Sequence, residues 1–261
     1  MKYFLVILFS AFFISATIYT VKIKNTEPGD PPVSNAQLIK EFYEKNKGDS
    51  LPSKIHGTEG AGTLDHAKLF PFSGTNFRYF DTASYLAGHA FMSDKMLQTL
   101  LASYQELETA VPGHLFTCME SGLQNGGHID GHRTHQCGTS VDLMMPLMKD
   151  GQSYYKLDTI GGWHYSLEFD DRGRWTNDST VVIDFNLLGT QILSLDKQAR
   201  KLGWHVKKVI LKLELKDEFY ASLAGKKVRA KGIYLAMNLP PEVNKQHDDH
   251  FHVDFEPLPA K

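Results

Sequence analysis

Near its C-terminus the chain alternates, with His250, His252 and Asp254 separated by Phe251, Val253 and Phe255. Side chains on a strand point to opposite faces in turn, so this pattern predicts a strand with one apolar face in a core and one polar face bearing two imidazoles and a carboxylate. A shorter version spans Val141 to Leu143, where Asp142 faces away from its apolar neighbours and Gly138 lets the preceding loop bend. The period changes upstream. Met96, Leu97, Leu100, Leu101, Tyr104 and Leu107 recur at helical spacing behind the capping residue Ser93, and Pro112-Gly113 ends the run. That stripe predicts a helix packed on the core.

The remaining elements follow from the same patterns. A strand is expected over His114 to Glu120, then a glycine-rich approach from Gly122 to Gly131. Met144 to Met148 is apolar but interrupted by Pro146, and Asp150-Gly151 marks a turn. The aromatic-rich segment from Tyr154 to Trp175 reads as a hairpin insertion, either a wall of a substrate groove or ordinary strand packing. A helix over Asn186 to Leu202, ended by Gly203, leads into a strand over His205 to Leu215, and a short helix over Asp217 to Leu223 ends at Gly225. The expected class is α+β: a central antiparallel sheet carrying the histidine-bearing strands, flanked by helices and a loop-rich periphery.

The N-terminus poses a different solvent problem. Met1-Lys2 precedes an apolar run from Tyr3 to Tyr19, which predicts a secretory signal or an uncleaved membrane anchor over residues 1–24. Residues 25–54 are rich in Pro, Asn, Gly and charge, with Pro28-Gly29-Asp30-Pro31-Pro32 as the strongest breaker, and read as a linker interrupted by a short helix over Asn35 to Asn46. Residues 55–261 form the expected folded domain. Export through the apolar run implies a periplasmic location, free or anchored in the inner membrane.

Composition narrows the partners. A chain of 261 residues with 42% hydrophobic content can bury a sizeable core, and a formal net charge of -2 gives no reason to expect nucleic-acid binding. No basic run interleaved with aromatics points that way either. In an oxidising compartment Cys118 and Cys137 can pair, closing a loop whose cross-link contributes on the order of 3 kcal/mol. Separate thiols are the alternative, as is Cys137 as a metal ligand.

Five histidines, together with Asp142, crowd two short segments, Gly131 to Leu143 and His247 to Phe255. Imidazole nitrogen and carboxylate oxygen are zinc ligands, and a catalytic zinc site uses three protein ligands with one position left for water. His135, Asp142 and His252 are the expected ligands, which leaves His250 beside the metal as an acid, base or electrostatic partner. Serine hydrolysis is disfavoured, since the chain has no Gly-x-Ser-x-Gly elbow.

The spacing HxxGxxxD from His135 to Asp142, followed by HxH at His250 and His252, resembles the lysostaphin and D-alanyl-D-alanine metallopeptidase superfamily. Within it, the stretches from Gly131 to Leu143 and from His247 to Val253 are similar to the penicillin-insensitive murein endopeptidases. The likeness runs from about Gly57, through Phe70-Pro71-Phe72-Ser73-Gly74 and Phe77-Arg78-Tyr79-Phe80, to about Phe255. It implies hydrolysis of peptidoglycan cross-link peptides between D-alanine and diaminopimelate, with Zn2+ as cofactor. His132 and His247 match family positions: His132 for a second metal, the substrate or a loop hydrogen bond, and His247 for orienting His250 or contacting the peptide. Related dipeptidases carry an acidic base where Asp249 stands, which makes it a rival to His250. A D,D-carboxypeptidase of the same superfamily and a non-catalytic, zinc-stabilised wall-binding protein are the competing readings. Cys137 and Ser140 depart from the family pattern, which usually has a small or polar residue at the first position and often an acidic one at the second.

Overall fold

Each long helix begins where its sequence supplies an oxygen for the free backbone N–H groups of the first turn. Ser93 accepts from the Met96 N–H to open the helix Asp94–Ala110, and Asp184 accepts from the Leu187 N–H to open Phe185–Lys201. The first helix buries Met96, Leu100, Tyr104 and Leu107. Leu97 and Leu101, on the margin of the same stripe, are only partly buried. Burying a side chain of this kind stabilises by roughly 1.5–3 kcal/mol relative to exposure.

The chain is described by a computed structural model over residues 34–259. The expected signal or anchor over residues 1–24 and the first part of the expected linker lie outside the described residues. The rest of that linker is folded. Helix Asn35–Asn46 forms as its pattern predicts and rests on the domain, with the Phe42 ring edge-on to Tyr85 at 5.6 Å and the Lys47 carbonyl accepting from the Leu69 N–H. An aromatic side chain on an amphipathic helix gives this segment an apolar contact that a tether lacks. Among the described residues no helix is long and apolar enough to cross a membrane.

Five strands form the central sheet: β1 (Phe77–Tyr79), β2 (Phe116–Cys118), β3 (Ser140–Met144), β4 (Trp204–Ile210) and β5 (His250–Pro257), in the order β4-β5-β3-β2-β1. The sheet is mixed rather than antiparallel throughout, because β1 runs parallel to β2 while its other pairs are antiparallel. Parallel neighbours need a long crossover, and helix Asp94–Ala110 lies in the connection between them. Strands β3 and β5 sit in the interior of the sheet. Their apolar faces, Val141 and Leu143 with Phe251, Val253 and Phe255, are fully buried.

Three expected elements differ. The strand expected over His205 to Leu215 ends at Ile210, and Leu213–Leu215 is a 3-10 turn. Tyr154 to Trp175 is not a hairpin over its length: it makes two 3-10 turns, Lys156–Thr159 and Gly161–Ser166, before a short strand Arg174–Trp175 joins Asp178–Ile183 at the edge of a second, four-stranded sheet. Buried polar anchors shape the turns: Asp158 meets Thr117 and Arg78, and His164 meets Asp249. Gly225 does not end a helix. Ser222 caps a new helix, Leu223–Ala230, by accepting from the Gly225 N–H, and the glycine lies against the Phe219 carbonyl where a Cβ has no room.

Candidate metal centre

The register of β5 on β3 sets His252 opposite Asp142, His250 opposite Met144 and Asp254 opposite Ser140. Alternation therefore gathers Asp142, His250, His252 and Asp254 on one face, as the sequence pattern predicts. The loop before β3 delivers the other imidazoles. His135 holds a φ of +69°, a left-handed backbone uncommon outside glycine, and Gly138 follows at +73°. A Cβ on Gly138 would stand 2.8 Å from the Ser93 nitrogen and 2.5 Å from Leu64 Cδ2, so only glycine fits this turn without displacement.

Asp142 is the hub. Its Oδ1 lies 2.8 Å from His252 Nδ1, and its Oδ2 lies 3.2 Å from His132 Nε2, 3.3 Å from His135 Nε2 and 3.9 Å from His250 Nε2. The carboxylate is 1% exposed. Burial alone would raise its pKa, but the neighbouring imidazoles outweigh it and hold the group well below the carboxylate range.

Each imidazole is oriented from behind. The His135 Nδ1–H donates to the Ser121 carbonyl at 3.2 Å, and the His247 Nδ1–H donates to the Val243 carbonyl at 2.6 Å, so Nε2 is the lone-pair nitrogen of each neutral ring. His250 Nδ1 sits 2.9 Å from Asp249 Oδ1. The His252 Nε2–H points at Asp254 Oδ1 at 2.7 Å, and Asp254 is itself held by the Ser140 hydroxyl at 2.6 Å and by Lys208 at 2.9 Å. Metal-bound histidines are commonly steadied in this way by a carboxylate or carbonyl on the far nitrogen.

His132, His135 and Asp142 form a group whose ligand atoms all lie within 4.8 Å of one another, and this buried His-His-Asp group could hold a metal ion. Its membership differs from the expected set. His132, expected only for a second metal, the substrate or a loop contact, stands inside the group because its Nε2 reaches Asp142. His252 stands outside it, paired with the other oxygen of Asp142, and both its nitrogens face carboxylates. Burial opposes charge on His252, but Asp254 and Asp142 push its pKa up to about 10, so the metal-free ring is a cation. The donor set of imidazoles and one carboxylate suits zinc and other borderline divalent ions alike.

The site opens into a cleft of about 460 Å³. Glu120, Tyr165, His247 and His250 line it together with the apolar side chains Ile210, Leu239 and Val243. His247 is driven down to about 3 by burial, with the neighbouring His250 adding to the effect, and so is neutral. His250 is raised: burial opposes, but Asp249 and then Asp142 favour its cation. Asp249 stands behind His250 rather than on the cleft wall.

The sequence reading did not assign Glu120 or Tyr165 to the site. Glu120 receives Ser84 Oγ at 2.8 Å and His89 Nδ1 at 2.7 Å, and faces His132 Nε2 at 3.2 Å. A carboxylate closing the apolar strand pattern before Gly122 was the available sign of it. Tyr165 lies in the aromatic-rich segment expected either as a groove wall or as ordinary packing, but no periodicity singled it out, since it arrives through a turn. His164, also unassigned, is buried and donates from Nε2 to the Asp249 carbonyl at 3.0 Å. Ser140 donates its hydroxyl to Asp254, and a carboxylate in its place would repel that residue. The cysteines are separate buried thiols: Cys137 contacts the Thr139 hydroxyl and Cys118 the Met119 carbonyl. Comparison of the sequence with protein-family models and with curated proteins gave no match.

Proposed function

We propose that the protein is a zinc-dependent endopeptidase that hydrolyses the D-alanyl-diaminopimelate cross-links of peptidoglycan after export to the periplasm. The observation that supports this most is the convergence of imidazole nitrogens on Asp142, each ring held from its far side by its own acceptor. Such support is what a metal site needs and a surface histidine cluster lacks. The cleft, mainly apolar with a few polar groups gathered at the site, suits a peptide with a polar scissile group.

Zinc, when bound, lowers the pKa of water toward neutrality and polarises a carbonyl oxygen. His135 and Asp142 are its ligands with His132 or His252. The ligand role of His252 requires that Nδ1 surrender its proton, while Asp254 keeps Nε2–H fixed. His250, steadied by Asp249, accepts the proton of the attacking water at Nε2 and returns it to the departing amine. The water oxygen bonds to the carbonyl carbon as the C=O π pair moves onto oxygen; that pair then re-forms C=O as the C–N bond breaks. His247, neutral and on the cleft wall, offers Nε2 as an acceptor for a substrate N–H.

The test is mass analysis of products from a defined cross-linked muropeptide dimer. Two monomers formed by protein lacking residues 1–24, abolished by chelator and restored by zinc, are the expected result. Release of a terminal D-alanine instead identifies a carboxypeptidase, and binding without products identifies a wall-binding protein; either rejects the endopeptidase reading.

A further inference from the structure

The turn Gly161–Ser166 brings a phenol to the metal cleft. Its His164 is buried and pinned to the Asp249 carbonyl at 3.0 Å, and its Gly162 N–H donates to Asp81 Oδ2 at 3.3 Å, so the turn is fastened on both sides. Between these anchors and the cleft stands Tyr165. Its ring is perpendicular to His250, with centroids 5.4 Å apart, and nearly so to His132 at 6.4 Å and Phe80 at 5.8 Å. The residue is 40% exposed and lines the cleft.

The hydroxyl of Tyr165 donates to Glu120 Oε2 at 3.3 Å. That is long for an O–H···O bond, whose usual separation is about 2.7–2.8 Å. Glu120 does not depend on it, because Ser84 and His89 hold Oε1 at 2.8 and 2.7 Å and His132 faces Oε2 at 3.2 Å. The phenol is the most loosely held donor on this carboxylate. The arginine and lysine side chains of the cleft are tied more closely, Arg133 to Glu242 at 2.6 Å and Lys208 to Asp254 at 2.9 Å. A phenol keeps its proton at neutral pH, its ordinary pKa being about 10.

We propose that Tyr165 is a catalytic residue, whose hydroxyl leaves Glu120 and donates to the oxyanion formed when water adds to the scissile carbonyl. This rests on the peptidase reading above. The phenol transfers no proton: it hydrogen-bonds the oxygen while that atom holds the former π pair, and releases it when the pair returns to C=O and the amine departs. A donor that strengthens its bond only as charge develops accelerates the chemical step without tightening substrate binding.

Tyr165→Phe keeps the ring packing and removes only the hydroxyl. With the defined muropeptide dimer, kcat is expected to fall about 100-fold, KM to stay within about threefold, and zinc content to stay at the wild-type level, since loss of one oxyanion donor costs roughly 10²–10³ in kcat. A phosphinate analogue of the cleaved bond, which carries tetrahedral oxygens, should lose affinity by the same factor; a purely structural role would not link the two losses. Tyr165→3,5-difluorotyrosine keeps the hydroxyl but ionises at lower pH, and should move the alkaline limb of kcat downward. A Tyr165→Phe enzyme with wild-type kcat, or an unmoved limb in the fluorinated protein, overturns this inference alone. A wild-type protein without turnover overturns it together with the peptidase reading.

Discussion

Asp142 and His252 face each other across adjacent antiparallel strands, Oδ1 to Nδ1 at 2.8 Å, although they lie 110 positions apart in the chain. Every other imidazole of the centre is arranged about that pair. The neutral isostere Asp142→Asn keeps the volume and discards the charge on which these rings converge. Zinc affinity should fall at least tenfold, measured by competition with a chromophoric chelator; unchanged affinity would remove Asp142 from the ligand set.

Asp254 acts one step back, on the far nitrogen of His252. Its replacement by Asn leaves His252 without its anionic acceptor and Lys208 without its partner. Carboxylates in this position typically contribute 10–100-fold to metal affinity. The Asp254→Asn protein should therefore bind zinc more weakly by about that factor with its fold intact. Equal affinity would mean that His252 is not a ligand.

The charge state of His252 makes metal uptake and stability depend on pH. Its folded pKa, about 10, lies above the ordinary histidine value, so its contribution to the stability of the metal-free protein is complete below about pH 6.5 and is lost as pH rises through 10. The difference in urea midpoint between metal-free wild type and His252→Gln should shrink between pH 6.5 and 10. Zinc binding at pH 7.5 should also release a proton, detected by calorimetry in buffers of different ionisation enthalpy. A constant difference in midpoint across that range would contradict the cationic assignment.

His250 is assigned to proton transfer, not to metal retention. His250→Ala should reduce turnover by about 10²–10⁴ while zinc stoichiometry stays at the wild-type value. Loss of zinc in this variant would make His250 a ligand instead.

Gly138 supports the loop that presents His135. Alanine there meets both a left-handed backbone and the Ser93 nitrogen, so Gly138→Ala should destabilise the domain by roughly 1–3 kcal/mol in urea unfolding. An unshifted midpoint would show that the turn relaxes at little cost.

Local periodicity was enough for much of this molecule. Alternation through His250 to Phe255 and Val141 to Leu143 set which side chains enter the core and which face the site, and helical spacing behind Ser93 set the long helix against the sheet. Those features depend on neighbours within a few residues, and the chain writes them directly. The inclusion of His132, the buried Glu120 and the arrival of Tyr165 were decided by tertiary structure alone, as was the parallel edge strand β1. Each depends on where separate segments meet: a left-handed turn at His135, a crossover through a helix, and a turn pinned by His164. Spacing along a chain records the period of one element, whereas the distance between two elements is set by how their buried faces pack.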